Sequence, residues 1–151
     1  MRFIVSTSTL LKQLQSVSGA LSSSTVLPIL ENFLFEIKDG SLTISATDLQ
    51  TSMTTSLSLN EAKENGRIAI PSRILLDTLK SLPEQPIAFL VDDTTFAIEI
   101  SAGDGKYKLS GENGDDFPKI PVVENAASVN LPSTVLIEAI NQTIFAVHTA
   151  E

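Results

Sequence analysis

Few side chains in this sequence can do chemistry, and their types narrow what that chemistry is. The 151 residues include one histidine, His148, and no cysteine. Disulfides, thiolate metal sites and cysteine nucleophiles are therefore excluded, and a metal centre or a histidine-based triad has little to draw on. Carboxylates remain. Asp48, Asp92, Asp93 and Asp104 are the candidates for acid–base work, which would make the chain a small hydrolase. Asp92-Asp93 and Asp104 lie in turn signals, however, where aspartate commonly bonds its own backbone, and Asp48 sits between two predicted strands where it suits a turn cap.

The basic residues suggest different chemistry. Eighteen acids against ten bases give a net charge of −8 and a pI near 4.5, which on average argues against nucleic acid. Binding depends on where charges sit rather than on their sum. The acids gather in predicted loops: Asp92-Asp93 in one turn, and Glu112, Asp115 and Asp116 in another. Lys12, Arg73 and Lys80 fall instead in segments with helical spacing.

Those helices belong to a repeat, the kind of long-period pattern that decides fold class. The windows at residues 4–14, 69–79 and 130–140 read IVSTSTLLKQL, AIPSRILLDTL and NLPSTVLIEAI. Each runs from a strand end through Thr7, Ser72 or Ser133, expected helix caps. An apolar pair follows (Leu10-Leu11, Leu75-Leu76, Leu136-Ile137), then Leu14, Leu79 or Ile140. From Thr7 to Ser72 is 65 residues and from Ser72 to Ser133 is 61. With the third copy breaking off soon after its window, the chain reads as two finished repeats and the opening of a third, part of a longer protein.

Each repeat predicts a strand, a helix and three more strands. Residues 1–5 form the first strand and Gly19 suits the end of the first helix. Phe33, Phe35 and Ile37 then alternate as in a half-buried strand. Asp39-Gly40 is a strong hairpin signal, Leu42, Ile44 and Ala46 return, and residues 51–59 make a weaker strand. The second cycle repeats this order with Arg67 to Ile70, the Ser72 helix, Ile87 to Val91, Phe96 to Ile100 and Lys106 to Ser110. Ala127 to Leu131 would open the third. The reading is α+β, with two helices packed against a sheet of about eight strands, and neither half able to bury its apolar face alone. No stretch approaches a membrane span or a signal peptide, so a cytoplasmic protein is expected.

At about 100° per residue, the leucines of the first helix cover one third of its circumference and leave Lys12, Gln15, Ser8 and Ser16 outside. The second helix turns out Arg73, Asp77, Lys80 and Ser81. Each helix sums to +1. A weakly basic, hydroxyl-rich face without aromatic residues suits loose phosphate contact, not single-strand stacking.

In order and spacing, the sequence resembles the amino-terminal part of the bacterial DNA polymerase III beta subunit family, the sliding clamps. The residues that carry the likeness are Phe3, Leu10-Leu11-Lys12, Leu27-Pro28-Ile29-Leu30, Ala46-Thr47-Asp48-Leu49 and Ile70-Pro71-Ser72-Arg73. It continues through Leu82-Pro83, Tyr107-Lys108-Leu109-Ser110, Asp116-Phe117-Pro118 and Phe145-Ala146-Val147. The resemblance implies a DNA-clamp fold, with a first domain at residues 1–121 and the start of a second at 122–151. It also implies a homodimer ring of three-domain protomers around double-stranded DNA, helices lining the hole. Such a ring is a non-catalytic processivity factor that needs no cofactor. Its partners are the replicative polymerase and clamp loader, which dock on later domains absent from this chain.

By the same resemblance, Lys12, Gln15, Arg73 and Lys80 are DNA-facing. The family's basic loop residue is replaced in Ser22-Ser23-Ser24, so the contact implied at Ser24 is a hydroxyl–phosphate hydrogen bond. Tyr107 and Leu109 match the strand that meets the partner protomer. Besides the hydrolase, the other alternative is a repeat-built interaction scaffold that does not bind DNA.

Overall fold

Strand β1 (Arg2–Ser6) runs directly into α1 (Thr7–Val17), as the apolar run and helical spacing predict. The computed structural model describes residues 1–21, 27–59, 61–120 and 128–147, and the chain divides into two units, Met1–Ile120 and Pro121–Glu151. In the first unit the order continues with β2 (Asn32–Lys38), β3 (Ser41–Thr47), β4 (Ser52–Ser58), β5 (Glu61–Ala62) and β6 (Gly66–Pro71). Then come α2 (Ser72–Ser81), β7 (Pro86–Val91), β8 (Ala97–Ala102), β9 (Gly105–Ser110) and β10 (Glu112–Asn113).

The strands form two five-stranded antiparallel sheets, ordered β5-β1-β7-β8-β9 and β10-β6-β2-β3-β4, rather than one sheet of about eight. Each sheet borrows across the repeat boundary. The first strand of repeat one, β1, joins the three strands of repeat two by pairing with β7, and β6 of repeat two joins those of repeat one by pairing with β2. The registers match: Phe3 faces Phe89 and Val5 faces Ile87, as Ile68 faces Phe35 and Ile70 faces Phe33. The two-residue strands β5 and β10 close the same positions, Phe3 opposite Ala62 and Ile68 opposite Asn113. Neither had a sequence signal, because two residues carry no periodicity.

One core joins both sheets to both helices, with Leu10, Leu14, Leu75 and Leu79 packed among Phe33, Ile44, Ile70 and Ile100. At its centre Phe3 stacks on Phe89 at 4.7 Å between ring centroids, and Phe35 of the other sheet meets each of them tilted at 6.3 Å. A contact of this kind adds about 1 kcal/mol to the burial itself and ties the two sheets together. Strand β2 does not alternate as expected. Leu34 on its outer face is buried too, under Ile29 and Phe117 with Ala69 beside it.

The hairpin signal is borne out, whereas Leu49 and Phe96 take positive φ (75° and 56°) without a turn residue's sequence signal, and β8 starts one residue after Phe96. Asp39 and Gly40 both take positive φ (50° and 78°), as the tight hairpin between β2 and β3 demands. Helix starts differ from the expectation. Thr7, Ser72 and Ser133 are each the first helical residue, one position past the cap. The cap of α1 is Ser6, whose hydroxyl accepts the Thr9 amide, while Pro71 and Pro132 precede α2 and α3 and offer no side-chain oxygen. Thr7 is buried, and its hydroxyl donates to the Gln85 carbonyl instead. Gly19 falls in a short 3₁₀ turn, Ser18–Ala20, without the left-handed backbone a glycine cap would use.

In the second unit α3 (Ser133–Thr143) forms as predicted, followed by a 3₁₀ turn at Ile144–Ala146. Residues 128–132 are irregular, so the strand expected at 127–131 is not formed over its described residues. A strand needs a neighbour for its backbone groups, and none is described in this unit. Helix α3 buries none of its residues.

Candidate nucleic-acid interface

The exposed faces of α1 and α2 are set by what their opposite faces bury. Thr7, Leu10, Leu14 and Val17 seat α1 on β3 and β4, and Ser72, Leu75 and Leu79 seat α2 on β6. The helices also touch each other. Rotation then leaves Ser8, Lys12, Gln15 and Ser16 exposed on α1, and Arg73, Ile74, Asp77, Lys80 and Ser81 exposed on α2. Four of the five DNA-facing residues read from the sequence are thus exposed on two adjacent helices. The fifth, Ser24, lies outside the described residues.

Hydrogen bonds at two places tie α1 to its neighbours. Its first turn is held by the loop after α2: the Thr7 amide donates to the Gln85 carbonyl at 3.0 Å and the Ser8 amide to the Glu84 carboxylate at 2.8 Å. Hydrogen bonds from the Ser8 hydroxyl and then its amide hold Glu84 below the usual carboxylate range. On the flank, the Thr55 hydroxyl of β4 donates to the Gln13 amide oxygen. Neither contact was foreseen, since both join residues far apart in sequence.

The cations of this face are uncommitted. Among the described residues, ion pairs within 4 Å use the Met1 ammonium, Arg67 and Lys106, whereas Lys12, Arg73 and Lys80 enter none. Arg67 bridges Glu36 and Asp115 across the outer face of its sheet, and Lys106 pairs with Glu99.

Three of the four carboxylates considered for catalysis, Asp48, Asp92 and Asp93, are engaged by other groups of the fold. Asp48 accepts the amides of Gln50 and Thr51, and Asp92 those of Thr94 and Thr95, which hold both acids below their ordinary range. A depressed pKa opposes service as either general acid or general base near neutrality. Asp93 pairs with the Met1 ammonium at 3.1 Å. Among the described residues no cluster of three His, Asp or Glu side chains could hold a metal, and His148 lies outside them.

Strand β9, with Tyr107 and Leu109, is an edge of its sheet. These two residues face Ile100 and Ile98 and so lie on the core side at the rim, Leu109 packed against the core and Tyr107 36% exposed. Lys106 and Lys108 alternate onto the outer side.

A family model for the DNA polymerase III beta subunit, N-terminal domain, matches residues 1–121. The chain belongs to the DNA polymerase III beta subunit family. Similar relatives include the beta sliding clamp of Halalkalibacterium halodurans, 31% identical over all of this chain and 41% of that protein. A Vibrio harveyi beta sliding clamp sequence is 34% identical over 96% of this chain and 99% of its own length. Among solved structures, the DNA polymerase III subunit beta of Pseudomonas aeruginosa superposes with a TM-score of 0.90 at 30% identity, covering all of this chain and 41% of that one. The Bartonella birtlesii sliding clamp gives 0.91 at 30% identity, over all of this chain and 40% of that one. The chain therefore spans about 40% of the length of most beta subunits it matches. In this beta-subunit domain, the clamp fold resides in the interlocked sheets, and α1 and α2 expose Lys12, Arg73 and Lys80.

Proposed function

We propose that this chain is the amino-terminal part of a sliding clamp, with residues 1–121 its first domain and 122–151 the start of its second. The whole protein is a non-catalytic accessory factor of the replicative DNA polymerase. It acts in the cytoplasm as a homodimeric ring around double-stranded DNA. The observation that carries this reading is the charge segregation. In a chain of net charge −8, the exposed faces of two adjacent helices carry Lys12, Arg73 and Lys80 against the single acid Asp77, and among the described residues these cations enter no ion pair.

A ring that slides must attract phosphate through contacts that are individually weak and blind to sequence. Long cationic side chains spaced among Gln15, Ser16 and Ser81 meet that requirement, and no aromatic residue on these faces reads or stacks a base. Once the ring is closed, dissociation of a bound polymerase is followed by recapture at high effective concentration, which is how a tether confers processivity. The polymerase and clamp loader engage domains beyond this chain. The edge strand β9 supports ring closure: its free backbone groups and the rim residues Tyr107 and Leu109 suit pairing with a strand of the other protomer.

The test uses the full-length protein with Lys12, Arg73 and Lys80 all changed to Ala. Binding to duplex DNA should weaken and its salt dependence flatten by about two to three units in the log–log slope for each protomer whose three cations contact the duplex. Unaltered loading and an unaltered slope would remove these residues from the DNA-facing surface.

A further inference from the structure

Aligning the first two repeats residue by residue sets Lys12 against Asp77, Ser8 against Arg73 and Gln15 against Lys80. The central outward position is thus cationic on α1 and anionic on α2, and the flanking positions compensate. Arg73, Asp77 and Lys80 are spaced i, i+4 and i+7, so they form one stripe, with Asp77 about 6 Å along the axis from Arg73 and about 4.5 Å from Lys80. All three are exposed. Among the described residues no ion pair or hydrogen bond holds the Asp77 carboxylate, so its charge is left to act on the cations of its own stripe. Glu84, the next acid along the sequence, is engaged by Ser8 at the start of α1.

We propose that Asp77 is an electrostatic brake on the DNA-facing surface, weakening the hold of Arg73 and Lys80 on phosphate so that α2 grips duplex DNA no harder than α1. This rests on the sliding-clamp reading above. A phosphate drawn to either cation comes within a few ångströms of Asp77, where one unit of like charge in water opposes binding by an amount comparable to thermal energy. With Asp77 in place each helix presents one net positive charge. Without it α2 would present two, and the duplex would rest preferentially on one helix of the pair.

The experiment measures binding of the full-length protein to a short blunt-ended DNA duplex by fluorescence anisotropy across a salt series. Thermal melting of each variant is followed in parallel. Asp77→Asn should bind about fivefold tighter at low salt, with the difference closing as salt rises, and Asp77→Glu should restore the parent affinity. Arg73→Gln and Lys80→Gln should weaken binding. If Asp77→Asn leaves affinity unchanged while the cation variants weaken it, the brake is refuted and the DNA-facing assignment stands. If the cation variants are also without effect, both fall. Weaker binding together with a lower melting temperature in Asp77→Asn would make the residue a structural one and overturn the proposal.

Discussion

Helices α2 and α3 carry the same apolar spacing and meet opposite fates. In α2, Leu75 and Leu79 are 0% and 1% exposed; the matching Leu136 and Ile140 of α3 are 50% and 47% exposed. Both segments are helical, so local sequence suffices to choose the backbone conformation. Burial is a separate matter. The leucines of α2 are covered because β6 and the two sheets supply a surface, and no sheet is described in the unit that holds α3. An apolar stripe specifies which side of a helix needs covering, and a partner decides whether it is covered.

Truncating side chains should break the comparison most sharply. In this 151-residue chain, Leu75→Ala or Leu79→Ala should lower stability by about 2–5 kcal/mol in urea denaturation, because each leaves a cavity in a packed core. Leu136→Ala and Ile140→Ala should stay within about 0.5 kcal/mol, since neither side chain is buried. Comparable losses in α3 would mean that its apolar face is covered in solution.

Backbone space gives the next largest effect. A β-carbon on Gly114 would lie 2.7 Å from Arg67 Cβ and 2.8 Å from the Arg67 carbonyl carbon, so Gly114→Ala must displace β10 from β6. It should cost about 1–3 kcal/mol by the same measurement. No counterpart of this constraint is described in the unit of α3.

Helix starts sharpen the contrast at a smaller scale. Ser6→Ala removes the hydroxyl that accepts the Thr9 amide and should cost about 1 kcal/mol, whereas Ser133→Ala removes no cap from α3 and should be nearly neutral.

The smallest effect is acid-dependent. Glu84 is depressed by its bonds from Ser8, so the folded state binds its proton less readily than the unfolded chain. Its stabilising contribution is present above the ordinary glutamate pKa, about 4.3, and is lost as pH falls through the lower folded value. Glu84→Gln should therefore flatten the acid limb of a melting-temperature profile and leave its shape above pH 6 unchanged.

Local features of this fold were legible in the sequence where a few adjacent residues settle them. Asp39-Gly40 announces a hairpin, and Leu10, Leu14, Leu75 and Leu79 announce buried stripes whose reverse faces must expose Lys12, Arg73 and Lys80. What was illegible depends on distant pairing. That β1 joins β7 and not its own repeat is decided by Phe3 meeting Phe89 across most of the unit, and single-chain periodicity holds no trace of it. The caps were misplaced by one residue because Thr7 and Ser72 are of a capping type yet lie on the buried side, where Gln85 takes the Thr7 hydroxyl. Asp77 was visible in the sequence as an outward residue; the structure adds that, among the described residues, it enters no ion pair.

The exchange of first strands between the two sheets bears on ancestry. A single repeat, folded alone, would leave three strands without their fourth and a helix without its full seat. Two copies could complete each other by lending β1 and β6 across a two-fold axis, as in a domain-swapped dimer with an isologous interface. Fusing such copies in tandem would turn an obligate partnership between molecules into a covalent one, freed from dependence on concentration. On this view the domain is a former dimer whose subunits can no longer separate.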